Sequence, residues 1–351
     1  MEALTPEIAA GLFRAAGDPV ICTRGERVIF ANPAAQELLG EDPAGKHASA
    51  YLPESLLHLQ GGLGAASVRI RGRDAIATLS GAGVYRAYFL RLMPEARRMP
   101  PLPTPQWSVL ANLRLAAEHF ALCPSEDDRL HAAKLLKSYY QLQRWFLNVS
   151  TLSALQEGSL PFQPLATDCA ALLHRIAEHL APLAAPQGVR VGAELPEQAP
   201  LLLLDEELME RLLFNLLLNS LLHCESGGSV RLSMSLTDSE VILTVQDTGS
   251  GIPPERLGTL FESFDVRPVP EGKGAGCGLP VVLGIARLHG GDVLVSSTPR
   301  FGTAVRVALP RREPGNLTLR ADPPDYDGKD REDLLIALAD YLRPEDFLRG
   351  C

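Results

Sequence analysis

The residues best suited to chemistry in this chain are a carboxylate and two glycines at the end of a predicted strand. An apolar strand is predicted over 241–245, and Asp247, Gly249 and Gly251 follow it directly. A carboxylate at a strand end can accept a hydrogen bond from an exocyclic amine such as that of adenine. Glycine lets the backbone turn sharply and approach a flat ring. The segment therefore indicates a site for an adenine-like ring.

A second glycine-rich segment and a pair of asparagines extend this site. Gly274, Gly276 and Gly278 precede a helical pattern, and the free N–H groups at a helix N-terminus favour phosphate. Upstream, Asn215 and Asn219 share one face of a largely apolar helix. Such a pair can satisfy itself inside a core, or Asn219 can coordinate a metal ion that bridges phosphates. Beside two glycine-rich loops, which are rarer by chance than one, the metal hypothesis is favoured.

Together these segments resemble the ATP-binding domain of sensor histidine kinases, a Bergerat-type fold shared with gyrase-like ATPases. The resemblance covers roughly 167–310 and is carried by Asn215-Leu216-Leu217-Leu218-Asn219, Asp247-Thr248-Gly249-Ser250-Gly251-Ile252, Leu260-Phe261-Glu262-Ser263-Phe264, Gly274-Ala275-Gly276-Cys277-Gly278-Leu279-Pro280, Leu288-His289-Gly290-Gly291 and Phe301-Gly302-Thr303. It implies that ATP binds as Mg-ATP, with Mg²⁺ on Asn219, adenine on Asp247 and a lid closing over the phosphates. The ATP-binding residues that it implies are Asn215, Asn219, Asp247, Gly249, Gly251, Ile252, Phe261, Phe264, Gly274, Gly276, Gly278, Leu279 and Thr303.

The resemblance is incomplete at one charged position. Many family members carry a lysine three residues after the metal-binding asparagine, where this chain has Leu222. The phosphate charge is then less well neutralised. Lys273, in the lid segment, is either a compensating catalytic cation or a solvated lid charge. Hydrolysis of the gyrase type is disfavoured, because those enzymes use a glutamate to activate water where this chain has Asn215.

Composition narrows the class of protein. The 351 residues suffice for two or three domains, and the net charge of −9 argues against a nucleic-acid partner. The six cysteines form no C-x-x-C pair, which is typical of reduced thiols in the cytoplasm. The N-terminus lacks a signal-peptide pattern, and no apolar run reaches the roughly 18 residues that span a bilayer. We therefore expect a cytoplasmic protein with no membrane span.

The N-terminal part of the chain predicts an antiparallel sheet with small helices. The expected strands cover 19–23, 27–31, 66–71, 75–79 and 85–92. This order, with the phrase VIFANPAAQELLGEDPAGKHA at 28–48, resembles a PAS sensor domain over 8–94. His58 is either a surface histidine near a helix end or a haem ligand, of which the surface role is favoured. No cysteine lies in a flavin-adduct motif, so no flavin is expected.

Two long helical patterns follow a Pro-rich linker at 95–105. They cover about 106–122 and 127–156, with Ser125 as the expected N-cap of the second. Two such helices with apolar stripes suit an antiparallel hairpin that pairs into a four-helix bundle. In position, the hairpin over 106–158 resembles the dimerisation and phosphoacceptor region of the kinase family.

The expected fold class is a multidomain α+β protein. It combines the PAS-like antiparallel sheet, the two-helix dimerisation hairpin and an α/β-sandwich ATP-binding domain over 159–311. A tail over 312–351 carries a further helix, predicted over 334–342.

The hairpin departs from the family at the phosphoacceptor. The stretch that matches best places Ala111 where the family has its histidine and Asn112 where it has an acid. Alanine has no nucleophile, so this position cannot be phosphorylated. His119, two turns along the same helix, is a displaced acceptor or a solvated residue. His131, in the second helix, is the other option.

Two functions follow from this pattern. The first is a cytosolic sensor histidine kinase of a two-component phosphorelay, which forms a homodimer through the hairpin. It would transfer the γ-phosphoryl group of ATP to a histidine and then to a response regulator. The alternative is a degenerate kinase that lacks the usual acceptor and acts as an ATP-binding dimeric scaffold or as a partner that phosphorylates another chain in trans.

Overall fold

The computed structural model of the chain describes residues 5–59, 63–81, 84–93, 107–122, 125–196, 199–261, 277–314 and 327–348. Three bodies follow one another along the chain: an antiparallel sheet with small helices, a pair of long helices, and a mixed sheet covered by helices. The last described segment returns to the second long helix.

The N-terminal body is a five-stranded antiparallel sheet in the spatial order β2-β1-β5-β4-β3. Its elements are α1 (Pro6–Phe13), β1 (Val20–Arg24), β2 (Arg27–Ala31), α2 (Pro33–Leu39), α3 (Glu54–Leu57), β3 (Leu63–Ile70), β4 (Arg73–Ser80) and β5 (Tyr85–Leu92). Asn32 organises one end of it: its Oδ1 accepts from the N–H groups of Val20 and Ala35, both at 2.9 Å. Asn32 thereby caps α2 and holds the start of β1, so this buried amide is satisfied.

The two long helices are α4 (Trp107–Ala121) and α5 (Glu126–Glu157). Ser125 caps α5 by accepting a hydrogen bond from Asp128 N–H at 3.4 Å, and Gly158 ends the helix in a left-handed conformation with φ of 66°. α4 packs along the N-terminal half of α5, whereas the C-terminal half of α5 packs on the third body. Helix α5 thus contacts both α4 and the third body.

The third body is a mixed sheet in the order β11-β12-β10-β9-β7, in which only the β7–β9 pair is parallel. Its elements are β6 (Leu165–Thr167), α6 (Cys169–Ala184), β7 (Arg190–Glu194), β8 (Leu202–Leu204), α7 (Glu206–His223), β9 (Ser229–Leu236), β10 (Glu240–Asp247), α8 (Pro254–Leu257), α9 (Gly278–Leu288), β11 (Asp292–Thr298) and β12 (Gly302–Pro310). Helices α6, α7 and α9 lie on the sheet. Most of α7 is apolar because it packs against the sheet, α5 and α9.

The two sheets join into one sheet of ten strands, which the sequence did not predict. Strand β3 pairs antiparallel with β11, with Ala66 opposite Leu294 and Gly64 opposite Ser296. Both strands are edges of their own sheets, and each edge satisfies the unpaired N–H and C=O groups of the other. The N-terminal sheet is therefore continuous with the sheet of the third body.

The C-terminal segment forms α10 (Asp327–Ala337), a turn and a short 3-10 helix (Pro344–Phe347). The sequence predicted a helix over 334–342, but the regular helix ends at Ala337. A turn follows, in which Leu342 N–H still donates to Leu338 C=O at 2.9 Å. The segment cannot continue as a helix, since Pro344 restricts the residue before it.

Candidate functional site

Asp247 stands at the C-terminal end of β10, where three chain segments converge. Its Oδ1 accepts hydrogen bonds from Gly249 N–H at 2.8 Å and Thr303 N–H at 3.2 Å, and the side chain of Ser220 on α7 also bonds to it. Burial raises the pKa of this carboxyl, while those hydrogen bonds act in the opposite direction. The carboxylate is thus held in a fixed orientation inside the domain.

The backbone around Asp247 is packed too closely for side chains. A Cβ on Gly302, which has φ of +101°, would lie 2.0 Å from Asp247 O, and one on Gly249 would lie 2.3 Å from His223 O. Only glycine permits this approach of the β10 end, the β11–β12 turn and the end of α7. These contacts explain why glycine occupies both positions.

Ser297 ties this region together, and the sequence analysis did not identify it. Its Oγ accepts from Ile252 N–H at 2.8 Å, donates to Gly302 O at 3.0 Å and lies 2.9 Å from Thr303 Oγ1. Ser297 is buried. The only signal in the sequence was its position among three consecutive hydroxyl residues, Ser296-Ser297-Thr298, at the end of β11.

The two asparagines of α7 have different surroundings. Asn215 is 5% exposed and exchanges two hydrogen bonds with Asn148 of α5, at 3.0 and 3.2 Å. Asn219 is half-buried, and its amide has no hydrogen-bond partner among the residues that the structure describes. Of the pair, Asn219 therefore has the side chain that can serve a ligand.

The start of α9 lies against this asparagine pair. A Cβ on Gly278 would approach Asn215 Oδ1 to 3.2 Å and Asn219 Nδ2 to 3.5 Å. The Cys277 side chain makes no cap hydrogen bond to α9, and the first N–H groups of a helix lack partners within the helix. A helix N-terminus and the Asn219 amide thus lie side by side, and both suit a phosphate with its metal ion.

The other residues considered for ATP binding differ in how deeply they are buried. Phe261 is 1% exposed and packs in the core, whereas Leu279 is half-buried at the start of α9. Leu222 is half-buried against the same core and supplies no charge. The residues that lie outside the described chain are Phe264, Lys273, Gly274 and Gly276.

The predicted phosphoacceptor region lies on the solvent-exposed side of the helical pair. Ala111 and His119 are both exposed on α4, and the ring of His119 meets that of Phe120 at 6.5 Å between centroids. His131 is exposed on α5, where its Nδ1 lies 2.7 Å from Asp127 O. In the N-terminal body, His58 is exposed beside Glu26, at the surface rather than in the interior.

Two parts of the chain match known protein families, one in the N-terminal body and one in the third body. Residues 204–313 match the family of histidine kinase-, DNA gyrase B- and HSP90-like ATPases, and residues 9–69 match the PAS domain family. The fold and the site therefore define a protein with a PAS domain and an ATP-binding domain of the histidine kinase type. Both matches, with histidine kinases among the relatives, support a sensor histidine kinase as the protein that this chain resembles.

Individual relatives agree with this assignment. The alginate biosynthesis sensor protein KinB of Pseudomonas aeruginosa is 34% identical over 158 residues, which cover 45% of this chain and 26% of KinB. The signal transduction histidine-protein kinase BaeS of Escherichia coli K12 is 32% identical over 162 residues, which cover 45% of this chain and 34% of BaeS. The matches thus span about a quarter to a third of the length of these curated relatives.

One solved structure shares the fold over more than half of the chain. Full-length ShkA, crystallised in complex with AMPPNP, has a TM-score of 0.51 and 24% identity over 59% of this chain and 44% of its own. Within the part of the chain that the structure describes, no helix combines the length and apolar composition needed to cross a bilayer.

Proposed function

We propose that this chain binds Mg-ATP and acts as a cytoplasmic histidine kinase of a two-component system. It transfers the γ-phosphoryl group to a histidine of the helical pair and then to a response-regulator aspartate. The observation that carries the proposal is the position of the Asn219 amide, which has no hydrogen-bond partner among the described residues, beside Gly278 at the N-terminus of α9. The cytoplasm is where ATP and a partner regulator are available together.

The adenine end of the site is Asp247. Its carboxylate is oriented by two backbone N–H groups, at 2.8 and 3.2 Å, and the backbone beside it leaves no room for a Cβ at Gly249 or Gly302. A carboxylate oxygen accepts the hydrogen bond that the exocyclic amine of adenine donates. Guanine carries a carbonyl at the equivalent ring position, so this site favours ATP over GTP.

The phosphate end of the site lies at Asn219 and α9. The Asn219 amide oxygen is a hard ligand of the kind that Mg²⁺ accepts, and the N–H groups at the start of α9 suit phosphate oxygens. Bound Mg²⁺ would neutralise phosphate charge during transfer. Because Leu222 stands where many family members have lysine, the protein itself contributes less positive charge here.

The acceptor that this chain offers is His119. An imidazole nitrogen of His119 would attack the γ-phosphorus, forming an N–P bond while the bond to the bridging oxygen breaks and ADP leaves. The side chain is exposed on α4, on the helix that carries the inert Ala111. The regulator's aspartate would then take the phosphoryl group and restore the neutral imidazole.

A second candidate function follows from Ala111 itself. An alanine at the family's acceptor position favours a degenerate kinase that binds ATP and serves as a dimeric scaffold, or that phosphorylates another chain in trans. Both functions need a dimer, and the helical pair exposes apolar side chains that would support one: Leu113, Leu115, Phe120, Leu122, Leu130, Leu135 and Leu142.

Incubation of the purified chain with γ-labelled Mg-ATP separates the two functions. The wild type should take up acid-labile, base-stable label, and both His119→Ala and Asn219→Ala should lose it. Loss in Asn219→Ala alone would move the acceptor, with His131 as the next candidate. Absence of label with nucleotide binding intact would reject self-phosphorylation and support the scaffold or the trans-acting kinase.

A titration with ATP tests the binding step separately. Asp247→Asn replaces an acceptor oxygen by a donor, so ATP affinity should fall by about tenfold or more. Leu222→Lys introduces the cation that many family members carry and should tighten ATP binding. Unchanged affinity in Asp247→Asn would contradict the assignment of the adenine position.

A further inference from the structure

The C-terminal segment over 327–348, called here the C-terminal strap, lies beyond the region that matches the ATPase family. It is not a solvated tail, because its apolar side chains join the core that also contains α7. The buried apolar side chains of the strap are Leu334, Ile336, Ala337, Leu338, Ala339, Leu342 and Phe347. A segment outside the catalytic fold thus shares its core.

The strap is fastened to α5 by a largely buried ion pair. The Asp340 carboxylate pairs with the Arg144 guanidinium, and the two side chains are 16% and 11% exposed. Gln141 Nε2 donates to the same carboxylate at 2.8 Å, and Lys137 Nζ donates to Leu342 O at 2.7 Å. Removing one partner of a buried pair is costly because it leaves the other charge uncompensated.

Aromatic packing continues this contact toward α4. The rings of Tyr140 and Phe347 stack with centroids 5.5 Å apart and planes 21° apart. Arg114 of α4 lies over the Tyr140 ring at 5.9 Å and also pairs with Glu332 of the strap. The strap therefore holds both long helices.

The opposite side of the strap rests on the ATP-binding domain. Gln187 Nε2, after α6, donates to Tyr341 O at 3.1 Å. Leu334 and Asp333 line a small cleft together with α6 and α7 side chains, which are Arg175, Ile176, His179, Glu210 and Phe214. One segment of chain thus touches α4, α5 and the ATP-binding domain at the same time.

In the orientation that the strap holds, α5 packs against Asn215 and α9. In it, Asn148 bonds to Asn215, and Arg211 Nη1 donates to Thr151 Oγ1 at 2.5 Å. Leu155 fills the space beside Gly284 of α9, where a Cβ would lie 2.5 Å from Leu155 Cδ1. His119 lies on α4, whereas these contacts with the ATP-binding domain are made by α5.

We propose that the C-terminal strap is an intramolecular latch that holds α5 against the ATP-binding domain and restrains phosphoryl transfer. Transfer to a histidine of the helical pair requires the γ-phosphate to reach that side chain in line. A strap that binds both helices and the ATP-binding domain opposes any movement of that domain toward a histidine of the helical pair. The catalytic consequence rests on the proposed function, whereas the mechanical role does not.

Charge reversal across the Arg144–Asp340 pair tests the latch in the full chain. The variants are Asp340→Asn, Asp340→Arg, Arg144→Asp and the double reversal, and Glu313→Arg is the matched control. Glu313 pairs with Arg311 on the surface of the ATP-binding domain, away from the strap. The mild Asp340→Asn change keeps the side-chain shape, so it reports on the latch even where a reversal impairs folding.

Hydrogen–deuterium exchange of the strap and α5 gives the mechanical readout. The single variants should speed exchange in both segments by about tenfold, and the double reversal should restore the wild-type rate. Glu313→Arg should leave that rate unchanged. Wild-type exchange in all single variants would overturn the latch.

Label uptake from γ-labelled Mg-ATP gives the catalytic readout on the same variants. The single variants should be labelled severalfold faster than the wild type, and the double reversal should return to the wild-type labelling rate. Faster exchange with unchanged or slower labelling would overturn the restraint and make the strap a structural support. Absence of label in every variant would count against the proposed function alone, since exchange still decides whether the strap is a latch.

Discussion

Asn148 of α5 and Asn215 of α7 exchange two hydrogen bonds, with donor–acceptor distances of 3.0 and 3.2 Å. Both amides are 5% exposed, and Asn215 Nδ2 donates in addition to Arg211 O at 2.9 Å. The first asparagine of the α7 pair is thus committed to helix packing, which leaves Asn219 for a ligand.

Truncation of Asn148 tests that assignment. Asn148→Ala leaves the buried Asn215 amide without its partner, so the free energy of unfolding should fall by about 1–3 kcal/mol. Urea denaturation measures the change. Ser150→Ala, at an exposed position of the same helix, is the control and should be close to neutral. A neutral Asn148→Ala would show that the two amides are not coupled in solution.

Gly302 is the position where the site tolerates a side chain least. In Gly302→Ala the new Cβ would lie 2.0 Å from Asp247 O in a backbone with φ of +101°. We expect a loss of at least about 2 kcal/mol in the free energy of unfolding, with weaker ATP binding because Asp247 is displaced. Denaturation and ATP titration check the two effects.

Gly192→Ala is the matched control for this substitution. A Cβ at Gly192, in strand β7, would meet no atom within 4 Å. Stability should therefore change little. If Gly302→Ala and Gly192→Ala changed the free energy of unfolding by the same amount, the close contact between Gly302 and Asp247 O would be contradicted.

His289 makes stability depend on pH. Its Nε2 accepts from Asp205 N–H at 3.1 Å and its Nδ1 donates to Ile285 O at 2.9 Å, so the buried ring is neutral. Burial lowers its pKa from the ordinary 6.5. Below about 6.5 the unfolded chain therefore binds a proton that the folded chain does not. This contribution to stability is complete above that pH and is lost as pH falls toward the folded pKa, by up to about 1.4 kcal/mol per pH unit.

Urea denaturation of the wild type and His289→Gln between pH 7.5 and 5 measures this effect. The advantage of the wild type over the variant should shrink as pH falls. His174→Gln removes a histidine whose side chain is 64% exposed and should keep the wild-type slope. An identical slope in His289→Gln would rule out His289 as the source of the pH dependence.

The junction between the two sheets can be tested through the Asp74–Arg287 ion pair. Arg287 Nη1 of α9 lies 2.7 Å from Asp74 Oδ2 of β4, and the side chains are 27% and 37% exposed. A double-mutant cycle with alanine at both positions should give a coupling of about 0.2–1 kcal/mol that weakens in high salt. A cycle of Asp74 with Arg231, on a strand that pairs with neither β3 nor β11, should give none. Zero coupling in the first cycle would contradict a stabilising Asp74–Arg287 pair across the junction.

The apolar face of the helical pair predicts the oligomeric state. Leu115 and Phe120 are 62% and 56% exposed on α4. Because charges at these positions would be buried in a four-helix bundle, Leu115→Glu with Phe120→Glu should convert a dimer to a monomer in light scattering. Leu165→Glu, at a 47% exposed leucine of β6, should not. A dimer that survives the double substitution would require another interface.

The local structure around Asp247 could be predicted from the sequence because it depends on residues close together in the chain. The strand before Asp247 was expected over 241–245, and β10 covers Glu240–Asp247. The glycines that follow it lie where a Cβ would clash with backbone. Likewise, Ser125 caps α5 as expected, because a cap depends only on residues a few positions apart.

Tertiary structure alone decided the contacts between segments distant in the chain. No local pattern distinguishes Asn215 from Asn219, and it is the packing of α5 that pairs the first and leaves the second open. The pairing of β3 with β11 is of the same kind, because a strand sequence does not show which other strand its edge will pair with. Likewise, the sequence does not show that Asp340 of the strap will pair with Arg144 rather than with another cation. The sequence by itself determined the local features, which are a strand that ends at Asp247 and an apolar helix with two asparagines on one face. The fold determined that Asn215 is used in helix packing, because only the folded chain brings Asn148 to it.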